Sequence, residues 1–142
     1  MDEAFLHDCL FFTTNRLGRL ITKIAEEEFA STGFSPMYAY LTRLVASSPG
    51  ISQKELAEKL AIAPSTLTRF VDKLEMKQMV ERRVQGKTVL VYPTDRGADM
   101  VETFREASNR LQERYEAVLG KDAADHLTTL LEESSDALER KH

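Results

Sequence analysis

The chain has a single cysteine, no tryptophan, four prolines and six glycines among its 142 residues. One cysteine, Cys9, excludes an intramolecular disulfide framework and leaves a buried thiol, a reactive thiol or an intermolecular bridge. Apolar runs extend for only a few residues, whereas a membrane-spanning helix needs about 20. The opening MDEAFLHDCLFF carries acids where a signal peptide would carry basic residues, so the expected location is the cytoplasm, with no membrane partner. There is no glycine-rich phosphate loop, and His7, His126 and His142 stand in no catalytic or metal-binding motif. An enzyme would need a nucleophile with its base and an orienting group, or a metal site. Neither is visible, so no catalytic residue, metal or other cofactor is expected.

What is present reads as a globular chain: 42% apolar and 30% charged residues, without a low-complexity tract or a Gly/Ser linker. The length suits one domain with helical extensions. The net charge of −4 is unevenly spread. Residues 1–51 carry 4 basic against 6 acidic side chains, residues 52–97 carry 9 against 6, and residues 98–142 carry 6 against 11. A basic middle between acidic ends fits an electrostatic footprint confined to one module.

Apolar residues at 10, 17, 20, 21 and 24 have helical spacing and predict a first long helix over 10–29, stopping near Ser31 to Gly33. Ser35 is placed to cap a second helix with Pro36 at its first position. Ser52 and Glu55 have capping-box spacing and open a third helix with Leu56, Ala57 and Leu60 inward. Pro64 starts the next, with Leu67, Phe70, Val71 and Leu74 as its buried stripe. Val80–Val84 and Thr88–Tyr92 are β-rich runs predicted to pair as a hairpin about Gln85-Gly86, with Val80, Val84, Val89 and Val91 as the apolar alternation. Thr94 is expected to cap a long helix with Met100, Phe104, Ala107, Leu111, Tyr115 and Val118 on one stripe. A last helix carries Leu127, Leu130, Leu131 and Leu138. The fold class is therefore mostly α with a small β-hairpin wing: a winged helix-turn-helix with terminal helices. It divides into an N-terminal helix over 1–34, a winged domain over 35–97 and C-terminal helices over 98–142. The terminal stripes need burial, and a two-fold partner would cover them.

The helix opened by Pro64 is suited to a DNA major groove. Ser65, Thr66 and Thr68 are short polar groups that permit close approach to base edges and phosphates, and Arg69 can grip guanine O6 and N7. Lys73 extends the basic face, and the free N–H groups at the helix start favour phosphate. Gln53 is placed to anchor a phosphate, and Arg83 and Lys87 on the hairpin to meet the neighbouring backbone or minor groove. Singly, each of these residues is explained by a helix cap or a solvated face. In series they point to DNA. The competing reading is a winged-helix protein-interaction module that does not bind DNA.

The segment ISQKELAEKLAIAPSTLTRFVDKLEMKQMVERR, followed by VLVYPTDRG, resembles the MarR family of bacterial transcriptional regulators, a likeness that extends over nearly the whole chain. The resemblance implies a homodimer that binds palindromic double-stranded DNA, usually represses, and is released by a small molecule or an oxidant. Its recognition helix would run from Pro64 to about Lys77 and its wing from Arg83 to Lys87. The wing lacks the DxR usual at its tip, so Arg83 or Lys87 takes that role. Gln78 stands where the family commonly has glycine, which predicts a left-handed residue there.

Cys9 lies beside Phe11 and Phe12, and Tyr38 and Tyr40 open the second helix. Three readings stand: Cys9 as a small hydrophobe among core aromatics, a metal site with His7 and Asp8, or an oxidant or small aromatic effector site of Cys9, Phe12 and Tyr38. The last resembles the organic-hydroperoxide regulators of the same family. Tyr38 matches one of their tyrosines, and Ser35 stands where the other would be.

Overall fold

A computed structural model describes residues 1–141. In chain order the elements are α1 (Ala4–His7), α2 (Leu10–Phe29), a 3-10 turn (Ala30–Thr32), α3 (Pro36–Ser47), β1 (Ile51–Ser52), α4 (Gln53–Leu60), α5 (Pro64–Met76), β2 (Val80–Gln85), β3 (Thr88–Pro93), α6 (Asp95–Leu119) and α7 (Lys121–Arg140). They form two compact units, one of residues 25–108 and one of residues 1–24 with those from 109 onward.

The unit of residues 25–108 contains the helix-turn-helix and the sheet. Leu56 and Ala57 of α4 and Leu67, Val71 and Leu74 of α5 are buried, as their helical spacing predicts. Leu60 and Phe70, expected inward, are only half-buried. Burying a leucine stabilises by about 2 kcal/mol, so this short stripe suffices to hold α5 in place. The same core takes Leu41 and Val45 from α3, Val91 from β3 and Phe104 from α6, whose ring meets Phe34 edge-on at 5.7 Å. Thr42 is the buried polar residue of this core, satisfied by donating to the Tyr38 carbonyl at 2.9 Å.

Local signals account for several helix ends. Ser52 Oγ accepts from the Glu55 N–H at 3.1 Å, as its capping position predicts. Thr94 Oγ1 accepts from the Gly97 N–H at 3.0 Å and donates to the Gln78 carbonyl at 2.7 Å. One hydroxyl thus caps α6 and ties it to the end of α5. Gln78 is left-handed, with φ 62, as expected of a residue where glycine is usual. Ser35 differs from expectation. It has the extended backbone of an N-cap, but its hydroxyl makes no cap hydrogen bond, and Pro36 reduces the number of N–H groups that need one.

The sheet contains a strand that the sequence reading did not anticipate. Its order is β1-β3-β2, with Ile51 and Ser52 pairing antiparallel to Val91 and Leu90. In the hairpin, Gln85 pairs with Thr88, so the turn is Gly86-Lys87, one residue later than expected. Gly86 has φ 64 and Lys87 is not among the positive-φ residues, the pattern of a II′ turn, which takes glycine first. Val84 also departs from the expected alternation, being 73% exposed. The face carrying Val80, Arg82 and Val84 runs off the body toward the hairpin tip, so only its first residue is buried.

In the other unit the stripes are left largely open. Leu10, Leu20 and Val118 are exposed, as are Leu130, Leu131 and Leu138 of α7, where Ala124 is the buried residue. Among the described residues, no helix is long and apolar enough to cross a membrane.

Gly97 is fixed by close approach. A Cβ at this position would sit 2.1 Å from the Met79 carbonyl oxygen. Gly97→Ala is expected to destabilise the chain by about 2–3 kcal/mol through this overpacking, read as a lower midpoint in chemical denaturation. An unchanged midpoint would show that α6 can shift without cost.

Candidate nucleic-acid interface

α4 ends at Ala61, which is left-handed with φ 55, and only Ala61–Ala63 separate it from α5. The turn redirects the chain so that α5 buries Leu67, Val71 and Leu74 and turns the opposite face outward. Ser65, Thr68, Arg69 and Lys73 are exposed there, Pro64 is exposed at the first position, and Thr66 is half-buried. The N-cap residue is Ala63, and no side chain caps the helix. The first-turn N–H groups therefore keep their affinity for an anion.

The hydroxyls are not equivalent. Thr68 donates to the Pro64 carbonyl at 3.0 Å, which leaves its oxygen as an acceptor. Arg69 leans back over the first turn, its Nη2 3.5 Å from Thr66 Oγ1. That bond is long enough to exchange readily for another acceptor.

Arg82, which the sequence reading left without a role, is the fastening between wing and helix. Its side chain is 20% exposed. Nε donates to Gln53 Oε1 at 2.7 Å, and Nη2 donates to the Thr68 carbonyl at 2.9 Å and lies 2.7 Å from Asp72 Oδ1. Nη1 donates to Glu75 Oε1 at 3.2 Å, and the Arg82 N–H to Glu75 Oε2 at 3.0 Å. One planar guanidinium thus joins β2 to the flank of α5 and to the first residue of α4. Gln53 Oε1 accepts from Arg82, which orients the amide and leaves its Nε2–H groups as donors for the phosphate contact expected of this residue. The signal that could have found Arg82 is its parity. It shares a pleat face with buried Val80, whereas Arg83 points the other way.

Arg83 is 61% exposed; it pairs with Glu81 at 2.7 Å and lies over the Tyr92 ring at 4.1 Å. The Glu81 hydrogen bond raises its pKa above the ordinary arginine value, so it is charged at any physiological pH. An exposed pair of this kind is worth little and yields easily to a phosphate. Lys87 is exposed at the hairpin tip.

The other candidate residues are spread over both units. Tyr38 belongs to the helix-turn-helix unit, where its ring meets Phe70 at 4.9 Å. Cys9 and Phe12 belong to the other unit. Cys9 is half-buried, and its carbonyl accepts from the N–H and the hydroxyl of Thr13, each at 3.0 Å, while Phe12 meets His7 edge-on at 5.9 Å. Among the described residues, no group of three His, Cys, Asp or Glu side chains is arranged to hold a metal ion.

A short helix, a tight turn, a second helix with an open polar start, and a three-stranded sheet ending in a basic hairpin define a winged helix-turn-helix. Residues 37–85 match the model of the MarR family. The matched stretch runs from α3 to β2 of this winged helix-turn-helix. It is 32% identical over 94 residues to the uncharacterized HTH-type transcriptional regulator YdgJ of Bacillus subtilis, a match covering 63% of this chain and 57% of that relative's length. Its fold is similar to that of the transcriptional repressor CouR of Rhodococcus jostii, solved on a 23-mer DNA duplex, with TM-score 0.85 and 20% identity over 95% of this chain and 98% of that one. It is also similar to the PcaV transcriptional regulator of Streptomyces coelicolor, solved with its natural ligand, with TM-score 0.84 and 20% identity over 97% and 99% of the two chains.

Arg82→Ala is expected to cost about 1–3 kcal/mol, since it strands Asp72, Glu75 and the Gln53 amide together. Amide exchange in β2 and β3 should accelerate more than exchange in α3. Unchanged exchange in the hairpin would mean that the sheet alone holds the wing.

Proposed function

We propose that the chain is a sequence-specific DNA-binding transcriptional regulator, a repressor acting in the cytoplasm as a homodimer on palindromic operators and released by a small-molecule or oxidant signal. The observation that carries this reading is the outward face of α5. Its uncapped start, Ser65, Thr66, Thr68, Arg69 and Lys73 offer short polar groups and cations on one side of a helix slim enough for a major groove. Arg69 is the base-reading residue, bidentate to a guanine, and Lys73, Arg83 and Lys87 are phosphate or minor-groove contacts. Repression and release by a ligand are supported by analogy with CouR and PcaV.

The homodimer is supported by the open apolar faces of the terminal unit. Leu130, Leu131 and Leu138 lie along one helix at 42–60% exposure, with Phe11 and Val118 more exposed still. A second copy covers such faces at low cost, and two-fold symmetry would set the paired α5 helices about 34 Å apart, one turn of DNA.

With a selected operator duplex, affinity should fall steeply with salt, and Arg69→Ala should weaken binding by about 1–3 kcal/mol while relaxing specificity at one base pair. Salt-independent binding, or equal affinity of the variant, would favour a protein-interaction module instead. Sedimentation equilibrium should give a dimer that Leu130→Glu combined with Leu138→Glu converts to a folded monomer; a wild-type monomer at micromolar concentration would remove the two-fold arrangement.

A further inference from the structure

The face of the wing turned away from Arg82 carries three side chains in register. In the β2–β3 ladder Glu81 stands opposite Tyr92, and Arg83 stands opposite Leu90. Tyr92 is therefore the diagonal neighbour of Arg83, a separation that an aromatic and a long side chain can bridge. Glu81, two residues back on β2, shares the same pleat face. All three belong to the unit of residues 25–108.

Arg83 is restrained on two sides although its side chain is largely exposed. Its guanidinium lies over the Tyr92 ring, 4.1 Å from the centroid, and Nη2 donates to Glu81 Oε1 at 2.7 Å. The two partners differ in kind. Glu81 is exposed, and an exposed ion pair yields to a competing anion. The ring is fixed from behind. Tyr92 is half-buried, and its hydroxyl end lies against Gly50, where a Cβ would fall 3.1 Å from the hydroxyl oxygen and 3.3 Å from Cζ. The Gly50 N–H donates to the Val91 carbonyl at 2.9 Å, so the backbone that meets the ring is itself tied to β3. Attraction to a ring face consumes no N–H donor, so it can persist while the guanidinium donates to an anion.

We propose that Tyr92 is a positioning residue for DNA binding. Its ring holds the Arg83 guanidinium in place for a backbone phosphate, which takes the donor now given to Glu81 while the contact with the ring persists. The role rests on the DNA-binding reading and adds to it a residue that acts through Arg83. An arginine held ready has already lost rotamer entropy that binding would otherwise have to overcome.

Two measurements on the full chain test this. In the free protein, the ring current should shift the Arg83 side-chain proton resonances upfield in wild type and in Tyr92→Phe, and the shift should vanish in Tyr92→Leu. On a selected operator duplex, Tyr92→Leu should weaken binding about two- to fivefold, the worth of an exposed cation over a ring. Tyr92→Phe, which keeps the ring, should bind like wild type, and Glu81→Gln should bind no more weakly. Arg83→Ala should weaken binding at least as much as Tyr92→Leu and lower the salt slope by about one. Adding Tyr92→Leu to Arg83→Ala should then cost nothing further, whereas a ring that serves only the fold would lower affinity in both backgrounds. With wild type bound to its operator, unshifted Arg83 resonances, equal binding by Tyr92→Leu, additive losses, or an equal loss in Glu81→Gln would each overturn the role of Tyr92 alone. A wild type that binds no duplex would overturn the DNA reading and this role with it.

Discussion

The geometry of the whole interface depends on the guanidinium of Arg82. A recognition helix and a wing can cooperate on one duplex only if their relative orientation is fixed, and the backbone alone fixes it weakly: α5 leads into β2 through the short connection at Lys77–Met79. Arg82 adds bonds to Gln53, Thr68, Asp72 and Glu75, residues drawn from α4 and from two turns of α5. Partial burial strengthens each bond and makes each expensive to leave unmade. The cluster therefore acts as a single constraint rather than as separable salt bridges.

The ends of α5 are set by two left-handed residues, Ala61 before it and Gln78 after it. An L-residue in this conformation costs about 1–2 kcal/mol, so both positions hold only because their surroundings compensate. After Gln78, Met79 is fully buried and its N–H donates to the Leu74 carbonyl at 2.9 Å, while Thr94 takes the Gln78 carbonyl. After Ala61, the Ile62 N–H donates to the Ala57 carbonyl at 3.1 Å. The recognition helix is thus started and stopped by backbone geometry, so the outward Ser65, Arg69 and Lys73 are not needed to cap it.

The parts of this architecture legible in the sequence were those set by local chemistry. Helical spacing gave the buried side of α4 and α5, Ser52 and Thr94 announced their caps, and glycine's usual place announced the strain at Gln78. The misreadings were non-local. β1 is two residues long and exists only because Val91 and Leu90 lie beside it, a pairing across about forty positions that no local pattern encodes. The bond from Arg82 to Gln53 was hidden for the same reason, since the two lie 29 residues apart. Val84 continues the apolar alternation of β2, yet the strand projects past the core, so alternation there no longer means burial.

The same fastening explains how an acidic chain presents a basic face. The acids of the recognition helix, Asp72 and Glu75, fall on the flank turned toward β2, where Arg82 takes them up. Its cations, Arg69 and Lys73, fall on the outward face: at 3.6 residues per turn Glu75 lies about 120° or more from both, and Asp72 about 60° from Arg69 and about 100° from Lys73. A count of charges along the helix sees near neutrality. Folded, the carboxylates are turned aside and neutralised, and Arg69 leans over the uncapped helix start, whose dipole adds to its field. Over distances shorter than about 10 Å, the screening length in ordinary salt, a phosphate meets this local field rather than the net charge of the molecule. The excess acid of the chain falls mostly in the segment from residue 98 onward. Sorting charge by helix face is therefore what allows a chain of net charge −4 to carry a cationic surface.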